Sequence, residues 1–102
     1  MANRIVKYPV ATNVRQEDGC TVVRYHATDV VKIHPQGCVE LRTGGWHTAT
    51  TKHRMNQYSP DWMGVYQHKH EWFVYFPGSD HEDIPFFEGM VVYSNGVAVP
   101  SE

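Results

Sequence analysis

Long hydrophobic runs are missing from this sequence. The longest span a handful of residues, well short of the roughly 20 needed to cross a bilayer, so no membrane partner is expected. The opening "MANRIVKYPV" also lacks the apolar centre of a signal peptide, and the expectation is a cytosolic chain. Cysteine is scarce. Cys20 and Cys38 lack CxxC spacing, which excludes a disulfide scaffold and argues against a structural zinc site. They read as reduced core or sheet residues, with a bridge between neighbouring strands as the lesser alternative. Nine Lys and Arg against eleven Asp and Glu leave a formal charge of -2, which excludes a basic body that coats nucleic acid. Any nucleic-acid site must then be local.

What remains describes one domain. The chain has 102 residues, 41% of them hydrophobic and 13% aromatic, enough for a single modest core. Residues 20–26, "CTVVRYH", and 29–34, "DVVKIH", are β-branched runs, and "PQG" before "CVELRT" reads as a turn and its return strand. Alternation puts Val23, Tyr25, Val31, Ile33, Val39 and Leu41 on the inner face of this antiparallel meander, with Arg24, Lys32, Glu40 and Arg42 outside. The period then changes. Thr51, Met55, Tyr58 and Trp62 stand at helical spacing, and Thr48 or Thr50 supplies the N-cap. Beyond Ser59 and Pro60, "MGVYQHKHEWFVYFP" reads as a hairpin turning near His68 to His70, with Trp72, Val74 and Phe76 in the core. "FFEGMVVYS" follows as a further strand, "NG" turns into a short strand at Val97 to Val99, and "RIVKY" is a candidate edge strand. The expected fold is a single α+β domain over residues 1–102: a curved, mostly antiparallel sheet of five to seven short strands, with one helix near 49–58. A small partly open β-barrel is the alternative.

The stretch "LRTGGWHTATTKHRMNQYSPDW" is the most unusual part of the chain. Its structural reading gives Gly44 and Gly45 the positive dihedrals needed to leave a strand, Trp46 a place over one end of the core, and the threonines the helix cap. Its functional reading uses the polar flank of the helix. Lys52, His53, Asn56 and Gln57 fall away from Met55 and Tyr58, and Arg54 lies at the edge of the apolar stripe. With Trp46 these five form the candidate partner-binding set, since interface anchors favour Trp and Arg among polar groups. Helix-start N–H groups beside Thr50, Thr51 and Lys52 would also suit an anion. A nucleotide-binding loop is excluded, because GxxxxGK[ST] is absent and an indole stands where a phosphate cradle needs close backbone approach.

Seven histidines invite a metal reading, with His68 and His70 as a pair and His81, Glu82 and Asp83 as further ligands. No HExxH or CxxC pattern supports it. "HKH" reads better as a hairpin tip and "SDHED" as a solvated acidic loop, so no metal or cofactor is expected. A cysteine nucleophile with a histidine base needs contacts that spacing cannot show, and both thiols fall in strands rather than at a helix start. Asp80, Glu82 and Asp83 could be drawn as an acid and base pair, but nothing marks a cleft. No catalytic residues are assigned.

"GGWHTATTKHRMNQ", preceded by "VVRYHATDVVKI" and followed by "GVYQHKHEWFVYF" and "FFEGMVVY", resembles a family of small proteins of tailed bacteriophages and prophages. The likeness runs from about Tyr8 to Tyr93 and carries no catalytic residues onto this chain. It implies an accessory protein encoded by a phage and acting in the cytoplasm of an infected host. Proteins of this size in such genomes often bind and block a host protein, including defence complexes, and some bind nucleic acid. The expectation is a non-enzymatic protein that binds a host protein of the defence or takeover class, with nucleic-acid binding through the basic helix as second choice. Exposed edge strands, and Tyr66, Phe73 and Tyr75 on an outer sheet face, also permit pairing with a second copy.

Overall fold

Asp18 and Gly19 take φ of 54° and 82°, the left-handed pair that lets two strands reverse through a two-residue turn. They join β1 (Thr12–Glu17) to β2 (Cys20–Tyr25), the first of a run of antiparallel hairpins. The computed structural model describes residues 12–101 of the 102. The candidate edge strand at "RIVKY" lies outside them. β3 (Thr28–Ile33) and β4 (Val39–Leu41) continue the meander, and β8 (Met90–Val92) and β9 (Ala98–Pro100) complete a six-stranded sheet of order β1-β2-β3-β4-β8-β9. A second sheet holds β5 (Gly64–His68), β6 (Glu71–Tyr75) and β7 (Ile84–Pro85).

Between the sheets in sequence stands α1 (Ala49–Tyr58). Thr48 is its N-cap, its hydroxyl accepting from Thr51 N–H at 3.2 Å, and Ser59 closes the far end by donating to Met55 C=O. The buried face of α1 carries Thr51 and Met55, with Tyr58 partly buried beyond them. Sequence spacing indicates this face, because only side chains three and four apart share one side of a helix.

The fold is α+β and mostly sheet, as expected, with nine short strands among the described residues divided between two sheets that do not close into a barrel. The core lies where the sheets and α1 converge. Val23, Val31, Val39, Leu41, Met90 and Val92 come from the first sheet, Val65, Trp72 and Val74 from the second, and Met55, Met63 and Phe76 fill the space between. Fully burying one such side chain is worth about 1.5–3 kcal/mol, so this cluster supplies the main drive to fold. The expected meander is present, with Val23 opposite Val31 and Val31 opposite Leu41, and its expected inner residues lie in the core or pack against it.

Some expectations differ from the structure. "FFEGMVVYS" is a strand only at Met90–Val92, because the chain turns through Gly89 at φ 79° and Met90 N–H bonds back to Phe87 C=O. β1 and β7 enter the sheets without having been expected. Cys20, the first residue of β2, and Cys38, which stands just before β4 rather than in a strand, are both free thiols.

Candidate functional site

The glycine-rich exit from β4 is held by a carboxylate from 45 residues further along. Glu88 accepts from Thr43 N–H through both oxygens at 3.0 Å, from the Thr43 hydroxyl at 2.8 Å and from Gly44 N–H at 2.7 Å. Desolvation alone would push the Glu88 carboxyl up. The donors from Thr43 and Gly44, with His47 nearby, outweigh it and hold the group below the usual carboxylate range. Gly44 sits at φ 67°, and a Cβ there would meet the Thr28 side chain at 2.2 Å, so only glycine fits. This clamp fixes the loop and projects Trp46, which is 68% exposed. The indole covers no core.

Beneath Trp46 opens a cleft of about 490 Å³. One wall is the β2–β3 turn, with Tyr25, His26, Ala27 and Thr28; Val30 and Thr43 lie deeper; Thr48 and Thr51 at the start of α1 form the other wall. Val30 is there because a β-bulge between β2 and β3 leaves it unpaired, with Val23 opposite Val31 but Arg24 opposite Asp29. His26 holds a left-handed φ of 58°, and its ring lies 4.3 Å from that of Tyr25. The cleft is apolar, has one tryptophan at its rim and bears no carboxylate on its walls.

The six expected partner-binding residues do not form one patch. Arg54 belongs to the cleft side, its guanidinium 5.8 Å from the centre of the Tyr25 ring and its Nε donating to Thr12 Oγ1 at 3.0 Å. Lys52 lies on the opposite flank, donating to Gln67 at 3.1 Å and standing 5.7 Å from the Trp72 ring centre. Asn56 shares that flank. Its Nδ2 donates to Val65 C=O at 2.9 Å and its Oδ1 accepts from Val65 N–H at 2.7 Å, so the amide stands in for a neighbouring strand along the open edge of β5. His53 and Gln57 face solvent between the flanks, Gln57 accepting from Arg54 Nη1 at 3.3 Å. The division follows from helix geometry, because residues two apart point about 200° from each other while 52 and 56 stack. Trp46 thus lines the cleft, Arg54 reaches it only through Tyr25, and Asn56 fastens the helix to the sheet.

His68 ends β5, whereas His70 is a turn residue with φ 71°, so the two are not neighbours on one strand face. Among the described residues no three His, Cys, Asp or Glu side chains group closely enough to hold a metal ion. A smaller hollow of about 210 Å³ lies between His47, His70, Glu71, Trp72, Pro85 and Phe86, where the His47 ring meets Trp72 edge-on at 5.1 Å.

Sequence spacing could not show which histidine meets a cysteine. Cys20 Sγ lies 3.6 Å from His34 Nδ1, and His34 Nε2 is 3.3 Å from Glu40, whose other oxygen accepts from Arg42 at 2.6 Å. The chain of thiol, imidazole and carboxylate has the connectivity of a nucleophile and its base. Cys20 is only 5% exposed, however, and neither cavity described above reaches it.

The chain matches the Kyanoviridae Gp96 protein family over residues 4–93. It belongs to that family. This is a family of cyanophage proteins, in agreement with the phage resemblance carried by the Gly-Gly-Trp segment. No curated protein and no solved structure matches the chain. No helix among the described residues is long and apolar enough to cross a membrane.

Proposed function

We propose that this phage protein is a non-enzymatic accessory protein that binds a host protein through the Trp46 cleft and acts in the host cytoplasm, with defence or takeover machinery as the target class. The observation that carries the reading is a tryptophan 68% exposed above an apolar cleft, on a loop that Glu88 anchors through Thr43 and Gly44. Exposing an indole on a fixed support forfeits burial energy, and a pre-ordered aromatic anchor lowers the entropy cost of association. Arg54 at Tyr25 and the outward His53 and Gln57 supply a polar rim. Nucleic-acid binding gains less support, because Lys52 and Arg54 leave opposite flanks of α1 and give no continuous basic track.

A photo-crosslinking amino acid at position 46 tests the assignment in host lysate, with the same group at the exposed Val14 as control. One protein crosslinked from position 46 but not from position 14, and lost on Arg54→Ala, supports the reading. Identical products from both positions, or none, reject it. A mobility shift with DNA or RNA that weakens on Lys52→Ala would move the assignment to nucleic acid.

A further inference from the structure

A second surface is independent of the Trp46 cleft. On β5 and β6 the alternation that buries Val65, Trp72 and Val74 turns Tyr66, Phe73 and Tyr75 to the opposite face, and Pro85 of β7 pairs beside Phe73. The Tyr66 and Phe73 rings stack with centres 5.4 Å apart, and Tyr75 meets Tyr66 edge-on at 5.6 Å. Gly64 lies opposite Tyr75, and a Cβ there would come within 2.5 Å of the ring. The glycine therefore lets Tyr75 lie against the sheet.

This aromatic face is bordered by carboxylates. Asp83 accepts from the Tyr66 hydroxyl, Glu71 stands on the same face at the far end of β6, and Asp80 and Glu82 are exposed in the adjoining loop. None of these four is paired with a cation among the described residues. Lys52, a cation held near β5, is bound to Gln67 on the other face.

We propose that the outer face of β5, β6 and β7 docks an extended, arginine-bearing segment of a partner protein, its guanidinium groups stacking on Tyr66, Phe73 and Tyr75 and forking to Asp83 and Glu71. Charge complementarity selects the occupant. A phosphate backbone or an acidic segment would meet the like charge of the four carboxylates. A guanidinium satisfies both features at once, because its plane stacks on a ring while its edge donors reach a carboxylate. An ammonium offers a point charge without that planar fit.

The test is a titration of ¹⁵N-labelled full-length protein with a nine-residue peptide alternating arginine and alanine. Its lysine–alanine and glutamate–alanine counterparts and a 12-nucleotide single-stranded DNA serve as comparators. The expected result is shift changes centred on Tyr66, Glu71, Phe73, Tyr75 and Asp83 with the arginine peptide. Tyr75→Ser and Asp83→Asn should each weaken binding about 3-fold, the size of one exposed cation–π or ion-pair contact. Tyr75→Phe, which keeps the ring, and Glu17→Gln, remote from this face, should leave affinity unchanged. Equal affinity for the lysine peptide, shifts centred elsewhere, stronger binding of the DNA, or no binding overturns the proposal. Amide spectra of each variant establish that the fold is retained before affinities are compared.

Discussion

Glu88 holds Thr43 through its backbone N–H and its hydroxyl, with contacts of 3.0 and 2.8 Å, and so ties the loop after β7 to the strand-to-helix junction. The loop that carries Trp46 owes its shape to this contact rather than to its glycines alone. Gly44 and Gly45 permit the positive dihedrals, and the carboxylate selects that conformation from those the glycines allow.

Glu88→Gln is therefore expected to destabilise the fold. An amide places a donor where one carboxylate oxygen accepted from a backbone N–H, and charge-assisted bonds are worth about 1.5–3 kcal/mol, discounted here to about 1–2 for partial solvent access. The linkage has a definite sign. A carboxyl held low in the folded state contributes stability that is fully present above its unfolded value near 4.5 and lost as pH falls through the lower folded value. Melting temperatures of the wild type and Glu88→Gln should differ at pH 7 and converge in acid. Parallel curves down to pH 2 would refute the clamp.

Asn56→Ala removes both partners of Val65 at the outer edge of β5. Leaving a backbone donor and acceptor partly buried and unpaired costs about 1–3 kcal/mol, and an uncovered edge strand invites pairing with another chain. Denaturant titration should show the loss, and light scattering at high concentration should show new association. An unchanged midpoint would mean that water replaces the amide at no cost.

The hairpin tip between β5 and β6 is strained in a correctable way. Lys69 and His70 take φ of 51° and 71°, a conformation that disfavours residues with a Cβ. Replacing them with Asn and Gly is expected to raise the melting temperature by about 4 °C, equivalent to about 1 kcal/mol for a domain of this size. A scan of the double variant against wild type decides this.

Sequence reading reached the elements whose signal is local and stopped where contacts are distant. The meander, the capped helix and the 64–75 hairpin were legible because periods of two and 3.6 are written in neighbouring residues. β1 was not, because "TNVRQE" alternates no apolar side and exposes Val14, although "DG" at 18 and 19 signals the turn. β7 is two residues long and contains a proline, too little for a pattern. For the candidate site, Trp46 is exposed, which departs from the structural reading that put it over one end of the core. Tyr25, His26 and Thr28 were missed, because the β2–β3 turn that holds them meets the start of α1 only in the folded chain, beside a β-bulge that the sequence does not announce. The role of Asn56 was unreadable for the same reason, since the edge it covers begins eight residues later.

The two thiols should behave differently. Cys38 is half-buried near the β3–β4 turn, whereas Cys20 is 5% exposed and tied to His34 at 3.6 Å. A thiol reaches a disulfide reagent only when its sulfur can be approached, whatever base stands beside it. Ellman's reagent on the native protein should therefore label one thiol quickly. The second should react at a rate that rises with denaturant, and Cys38→Ser should abolish the fast phase. If Cys38→Ser instead retains a fast, pH-dependent phase that His34→Gln removes, Cys20 is an accessible and activated nucleophile, and the non-enzymatic reading of this chain would have to be abandoned.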